Sequence, residues 1–325
     1  MRPSCRGNPG SAQGLADSVT SPLLQRPGAV PADAPDAGVA AHYGDPYREQ
    51  RRLAAGLAEV DLSHRPVVRV AGPDRLSWLH SLTSQALEQL TPGERTETLV
   101  LSPHGHVEHD LQLVDDGTAV LAHVEPGTAE TLIAWLDRMR FMLRVEVSDA
   151  TQEWAVLGAA DSWRLVPRAE LDAVGELAGV AAYEALRVEA LRPRLGRDVD
   201  ARTIPNETRW LSSAVHLAKG CYRGQETVAR VDNLGRPPRR LALLHLDGSD
   251  STLPLTGEPV LLGAREVGRV GTAVRHHELG PIALSLVKRQ VPDDADLLAG
   301  TVPARLEPEQ APPPPRRTRP ELMRF

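Results

Sequence analysis

Lys219-Gly220-Cys221-Tyr222-Arg223-Gly224-Gln225-Glu226-Thr227 is the densest chemical stretch of this chain. Two glycines flank a lone cysteine and permit tight turning and close backbone approach. Lys219 and Arg223 each stand two positions from the thiol, and on an extended backbone they share its face. A neighbouring cation favours the thiolate, the physical route from an inert cysteine to a reactive one, whereas Glu226 acts in the opposite sense if close. The competing reading is a small buried hydrophobe with no chemistry. The surroundings favour chemistry: between positions 201 and 243, one lysine and seven arginines stand against Glu207, Glu226 and Asp232, in a chain whose net charge is −6. An anion is expected to dock there.

Outward from that stretch, 325 residues with 41% apolar content suffice for the cores of about two domains. The negative net charge excludes a wholesale polyanion binder, so any tRNA contact is local and weak. Cys5 and Cys221 are the two cysteines, so no disulfide framework is available and a reducing cytoplasm is the expected location. An iron–sulfur cluster needs roughly three or four thiolate-type ligands, so the chain is expected to hold no metal alone. No apolar run approaches the ~18 residues of a membrane span, so no membrane contact is expected. GxGxxG, GxxxxGK[ST] and GxSxG are missing, which removes nucleotide-dependent and serine-hydrolase readings.

Residues 1–44 carry six prolines among Gly, Ala and Ser and read as a disordered leader; 308–325, with four consecutive prolines and then Arg316 and Arg317, read as a disordered tail. Between them strand and helix patterns alternate. Val67, Val68 and Val70 form a strand stopped by Gly72-Pro73, and Leu76, Leu79, Leu82 and Leu87 follow at helical spacing. Val120–Val124 reads as a strand. Leu132, Trp135, Leu136 and Met139 fall on one helix face. Phe141, Leu143, Val145 and Val147 alternate as a half-buried strand should, and Leu171–Leu191 reads as a helical stretch ending near Pro193. From 240 to 290, short apolar runs between Gly, Pro and Asp turns indicate a small β-barrel.

Lys219–Glu226 matches the KGC[YF]xGQE signature of the YgfZ family, folate-binding relatives of the glycine-cleavage T-protein implicated in tRNA modification and iron–sulfur cluster maintenance. Val60-Asp61-Leu62-Ser63-His64-Arg65 and Val70-Ala71-Gly72-Pro73-Asp74 resemble the opening of T-protein-like chains. Arg187-Val188-Glu189-Ala190, then Gly196-Arg197-Asp198-Val199, resembles their RxEAG…GxD element. The resemblance covers about 45 to 305. It implies an α+β, T-protein-like fold: two α+β lobes over 45–237 and a C-terminal β-barrel over 238–307, around a central site for tetrahydrofolate or a one-carbon derivative. Glu189 is the position implied to contact the pterin, with Arg187 and Asp110 beside it and Arg230 for the anionic glutamate tail.

One departure stands out. Where T-proteins carry an acidic pair, this chain reads Gly105-His106-Val107-Glu108-His109-Asp110, so Asp110 keeps the second acid and His109 replaces the first. That speaks against classical aminomethyl transfer and leaves His109 either an acid or base near neutral pH or a structural histidine. His104, His106 and His109 cannot converge on a metal without a sharp turn in the strand. The function expected is a tetrahydrofolate-binding accessory factor for iron–sulfur enzymes or assembly proteins. Its functional motif is Cys221 and Lys219 with Gly220, Tyr222, Gly224, Gln225 and Glu226. The alternatives are a folate-dependent one-carbon transferase or demethylase and a non-catalytic tRNA-binding module.

Overall fold

The computed structural model describes residues 20–249 and 251–308. Its first lobe is a five-stranded antiparallel sheet in the order Arg95–Leu101, Val107–Asp115, Ala119–His123, Val67–Ala71, Glu146–Asp149. Helices Arg75–Leu82 and Ala129–Met139 cover one face, where Trp78, Leu79, Leu132 and Leu136 pack on Val68, Val70, Val100, Leu111, Leu113, Val120 and Ala122. Successive strand side chains point to opposite faces, so burying that apolar set turns Glu97, Asp110, Gln112 and His123 to the other side. The register makes Glu97, Gln112 and His123 lateral neighbours across three strands. Thus the core pattern of the first lobe itself lays out a polar row.

The second lobe pairs Trp163–Pro167, Trp154–Gly158, Glu59–Asp61 and Leu177–Ala178 in that order, with helices Pro46–Ala54 and Val180–Glu189 beside them. Helix Pro46–Ala54 starts sharply because Asp45 accepts hydrogen bonds from the backbone N–H of Tyr47 and Arg48 and proline occupies the first turn. Strands between Arg239 and Leu306 close a six-stranded barrel, as the short apolar runs of that region indicated.

Two elements differ from expectation. The stretch Leu171–Leu191 is helical only at Arg168–Ala173, as a 3-10 turn, and at Val180–Glu189. Gly179 stands between, where a Cβ would lie 2.1 Å from the Ala41 carbonyl oxygen, so close approach of the chain displaces helical continuity. Phe141–Val147 does not extend as one strand. Phe141 turns with a φ of 46°, Phe141, Met142 and Leu143 are exposed, and pairing begins at Glu146.

The disordered-leader reading is corrected from residue 20 onward; residues 1–19, Cys5 included, and 309–325 lie outside the described residues. Leu23 is fully buried against Ala155, Leu157 and Leu171, and Val30–Pro31 pairs with Ala40–His42. Asp36 accepts hydrogen bonds from Arg194 Nη1 and Nη2 at 2.9 and 2.8 Å and lies 3.0 Å from His64 Nε2. An average composition rich in Pro, Gly and Ala conceals these few anchoring residues, whose burial and ion pairing offset the ordering entropy.

The same arginine binds the parts together. Arg194 also reaches Glu125, just after strand Ala119–His123, at 2.8 Å and Glu184 of helix Val180–Glu189 at 3.1 Å. Arg187 bonds Glu184 and Asp198 at 2.7 Å each, and Asp198 accepts from Thr272 N of the barrel at 2.8 Å. Burial opposes ionisation of Asp36 and Glu184. Hydrogen bonds from His64 and Arg194 nevertheless hold Asp36 below the usual carboxylate range, and the charges of Arg187 and Arg194 hold Glu184 down at about 2. Because these carboxyls are depressed, the stability they contribute is present above about pH 4 and is lost as pH falls below it. Asp36→Ala, which leaves a buried guanidinium short of a partner, should lower unfolding free energy at pH 7 by about 3–5 kcal/mol in urea titrations, and the difference from wild type should shrink on acidification. An unchanged midpoint at pH 7 would show that residues 20–44 only rest on the body.

Candidate functional site

A cavity of about 780 Å³ opens between the first sheet, the second lobe and the chain around Trp210. Its floor is the polar row. Glu97 accepts from Gln112 Nε2 at 2.6 Å and from Trp210 Nε1 at 3.1 Å. Asp110, diagonal to Glu97, keeps a buried Oδ1 with no hydrogen-bond partner. Burial, reinforced by the negative charges of Glu97 and Glu125, holds the Asp110 carboxyl well above the usual range, so an acid with a proton to give lines the cavity. The walls bring Trp163, Tyr183 and Trp210, and arginines gather round them. Arg95 donates to the Trp163 carbonyl and Arg192 to that of Ala160, each over an aromatic ring, while Arg209 is exposed.

The expected cofactor residues separate. Asp110 is in the cavity. Arg187 also lines it, but at 2% exposure its donors are taken by Glu184, Asp198, Thr272 and the Arg192 carbonyl, so it acts as a clamp instead of a ligand-facing cation. Glu189 lies elsewhere: it is 47% exposed, 3.3 Å from His276 Nε2, and lines a second cavity of about 680 Å³ beside the barrel strand Arg239–Leu246. The turn after helix Val180–Glu189 divides the two spaces, placing Ala190 on one side and Glu189 on the other. Arg230 is exposed on helix Gln225–Leu234 and lines neither. His109 is not in the central cavity either; burial lowers its imidazole to about 4, which removes the near-neutral acid–base role.

The cysteine motif forms a loop docked on the first lobe. Gly224 has a φ of +80°, and a Cβ there would lie 2.5 Å from the Ser102 carbonyl oxygen and 2.9 Å from the Gly105 Cα; Gly105 in turn abuts Thr227. Glycine is therefore required on both surfaces of the contact. Tyr222 is buried among Leu99, Leu101, Val107 and Trp210, which anchors the loop, while Cys221 faces solvent. Lys219 and Arg223 do not share a face with the thiol, contrary to expectation. Lys219 turns its Nζ inward to the carbonyls of His80, Thr83 and Gln85, at 2.6 Å from the second and 2.9 Å from the third, and burial lowers its ammonium to about 8. Arg223 pairs with Glu108 at 3.0 Å and lies over Trp135. Glu226 is exposed at the start of helix Gln225–Leu234, and the Gln225 amide reaches the Lys219 carbonyl at 3.5 Å. Cys221 lines neither cavity.

The basic segment 201–243 is also partly spent. Arg239 pairs with Asp200 and Glu207 at 2.6 and 2.7 Å, and Arg240 pairs with Asp293. Of the residues that sequence reading passed over, Glu97, Gln112 and His123 carried one usable signal, polar side chains at every second position of strands whose other face is apolar, whereas Trp210, at the start of the short helix Trp210–Ser213, carried none. No helix of the described residues is long and apolar enough to cross a membrane.

No family model matches the chain. A chloroplastic protein of Arabidopsis thaliana, provisionally named a transferase, is 24% identical over 289 residues, covering 72% of this chain and 66% of that protein. An aminomethyltransferase of Moorella thermoacetica is 25% identical over 304 residues, covering 75% of this chain and 82% of its own. The crystal structure of the glycine cleavage system aminomethyltransferase T from Bartonella henselae superposes with a TM-score of 0.71 at 16% identity, over 87% of this chain and 94% of that one. The two α+β lobes and closed barrel are accordingly the fold of the glycine-cleavage aminomethyltransferases.

Proposed function

We propose that this protein is a YgfZ-like, tetrahydrofolate-binding accessory factor acting in iron–sulfur cluster assembly or repair, and through it in tRNA modification, with Cys221 as its working thiol. The observation that carries the reading is the central cavity: an acidic floor, aromatic walls and an arginine-bearing rim match the three parts of a reduced folate. Glu97 suits the amino and ring N–H donors of the pterin, because a carboxylate accepts such bonds strongly, and the Asp110 carboxyl, held high by burial, suits a ring acceptor. Trp163 and Tyr183 suit the flat rings, and Arg95, Arg192 and Arg209 suit the anionic glutamate tail. Bound folate supplies a carrier for a one-carbon unit. Cys221, exposed on a loop outside that cavity, is placed to meet a protein client and to serve as an exchangeable sulfur ligand, which fits a chain with too few cysteines to keep a cluster.

A second reading, a folate-dependent one-carbon transferase, draws on Asp110. A buried carboxyl with an unpartnered oxygen, in the lining of the cavity, has the character of a general acid. The tRNA-module reading loses support with the pairing of Arg223, Arg239 and Arg240.

Incubation with 5,10-methylenetetrahydrofolate separates the first two readings. An accessory factor binds it without one-carbon loss, and Cys221→Ser binds it as wild type does yet fails to restore iron–sulfur enzyme activity in cells lacking the protein. One-carbon loss that Asp110→Asn abolishes and Cys221→Ser spares would replace the accessory reading with the transferase. Asp110→Asn also has a signature without ligand. A carboxyl raised in the folded state contributes stability below about pH 4 and loses it as pH rises through its folded value, so the variant should melt above wild type at pH 7–8. An equal or lower melting temperature there would show that Asp110 is ionised and paired.

A further inference from the structure

His123 enters the central cavity from the end of strand Ala119–His123 and is 2% exposed. Neither its Nδ1 nor its Nε2 has a hydrogen-bond partner. Its neighbours explain this. The ring stands nearly perpendicular to the Trp163 indole, 88° between planes and 4.6 Å between centroids, so one flank meets carbon. Gln112, beside it in register, turns its amide to Glu97 instead. Arg65 turns to Glu125 at 3.3 Å and lies over Tyr183. Gln112 and Arg65 thus turn to other partners, and both nitrogens of the imidazole are left without one. A buried polar group without a partner is unfavourable, and in a cavity wall its missing bond is one that a ligand can supply.

We propose that His123 is a specificity-determining residue of this cavity, a neutral imidazole that hydrogen-bonds the N–H or C=O edge of a bound planar heterocycle. Burial, and the cationic charge of Arg65, disfavour the imidazolium, which leaves one donor and one acceptor on the ring. The tautomer can follow the ligand, so an edge bearing either group is accepted and a purely apolar edge is not. The inference rests on the folate reading and deepens it, since the pterin ring is a heterocycle of this class.

Calorimetric titration of tetrahydrofolate into wild type, His123→Asn and His123→Phe tests it. Phenylalanine keeps the ring against Trp163 and removes both nitrogens; asparagine keeps a donor and an acceptor. His123→Phe should bind about tenfold more weakly, and His123→Asn within about threefold of wild type. Without ligand, His123→Phe should melt at or above the wild-type temperature, because an unpartnered polar group has gone. Full affinity in His123→Phe overturns the assignment alone. A melting temperature below wild type together with intact binding does the same and marks the imidazole as structural. No binding by wild type overturns the folate reading and this assignment together.

Discussion

A buried guanidinium is tolerated only where carboxylates surround it, and Arg194 and Arg187 impose that constraint on the whole molecule. Their partners come from residue 36 near the start of the described chain, from Glu125 just after strand Ala119–His123, from Glu184 of helix Val180–Glu189 and from Asp198, which in turn holds the barrel at Thr272. Taking the charges out of water is expensive, so the pairs are weak evidence for net stability, but breaking any one of them strands a charge in the interior. Each segment is held in place by a charge from another. The cavity between them keeps its shape for that reason, and its acidic floor and arginine-bearing rim stay in register.

This arrangement separates two chemistries that the linear sequence places side by side. The arginines and the cysteine of 219–230 read as one anion-binding, thiol-activating cluster. In the fold Lys219 caps the end of helix Arg75–Leu82, Arg223 neutralises Glu108, and the thiol is left at the surface without either cation in contact. What the motif encodes is a docked loop, with Tyr222 as anchor and Gly224 against Gly105, that presents one exposed sulfur. The polar lining of the central cavity lies elsewhere, on the sheet.

The barrel, the helix Ala129–Met139 and the strand Val67–Ala71 were legible because each depends on local periodicity: alternating or 3.6-spaced apolar residues bury one face whatever the rest of the chain does. Asp110, picked out by its motif, lies in the lining of the central cavity. Glu189 lines the second cavity and not the central one, since a matched position says nothing about which side of a turn its side chain takes, and here the turn after Val180–Glu189 divides two cavities. Asp36 and His123 were out of reach for a different reason. Their roles come from partners 158 residues away, in the case of Arg194, or from the absence of any partner, and neither leaves a pattern in the neighbouring sequence. The leader was misread because bulk composition outweighed the anchoring side chains of Leu23 and Asp36.

The central claim is that the cavity between the sheet and the second lobe receives a reduced folate, pterin inward. A crystal structure of the tetrahydrofolate complex decides it directly. The account predicts the pterin against Glu97, Asp110 and His123, with the glutamate tail toward Arg95, Arg192 and Arg209. A pterin bound instead beside Glu189 and the barrel strand Arg239–Leu246, with the central cavity unchanged, would contradict it.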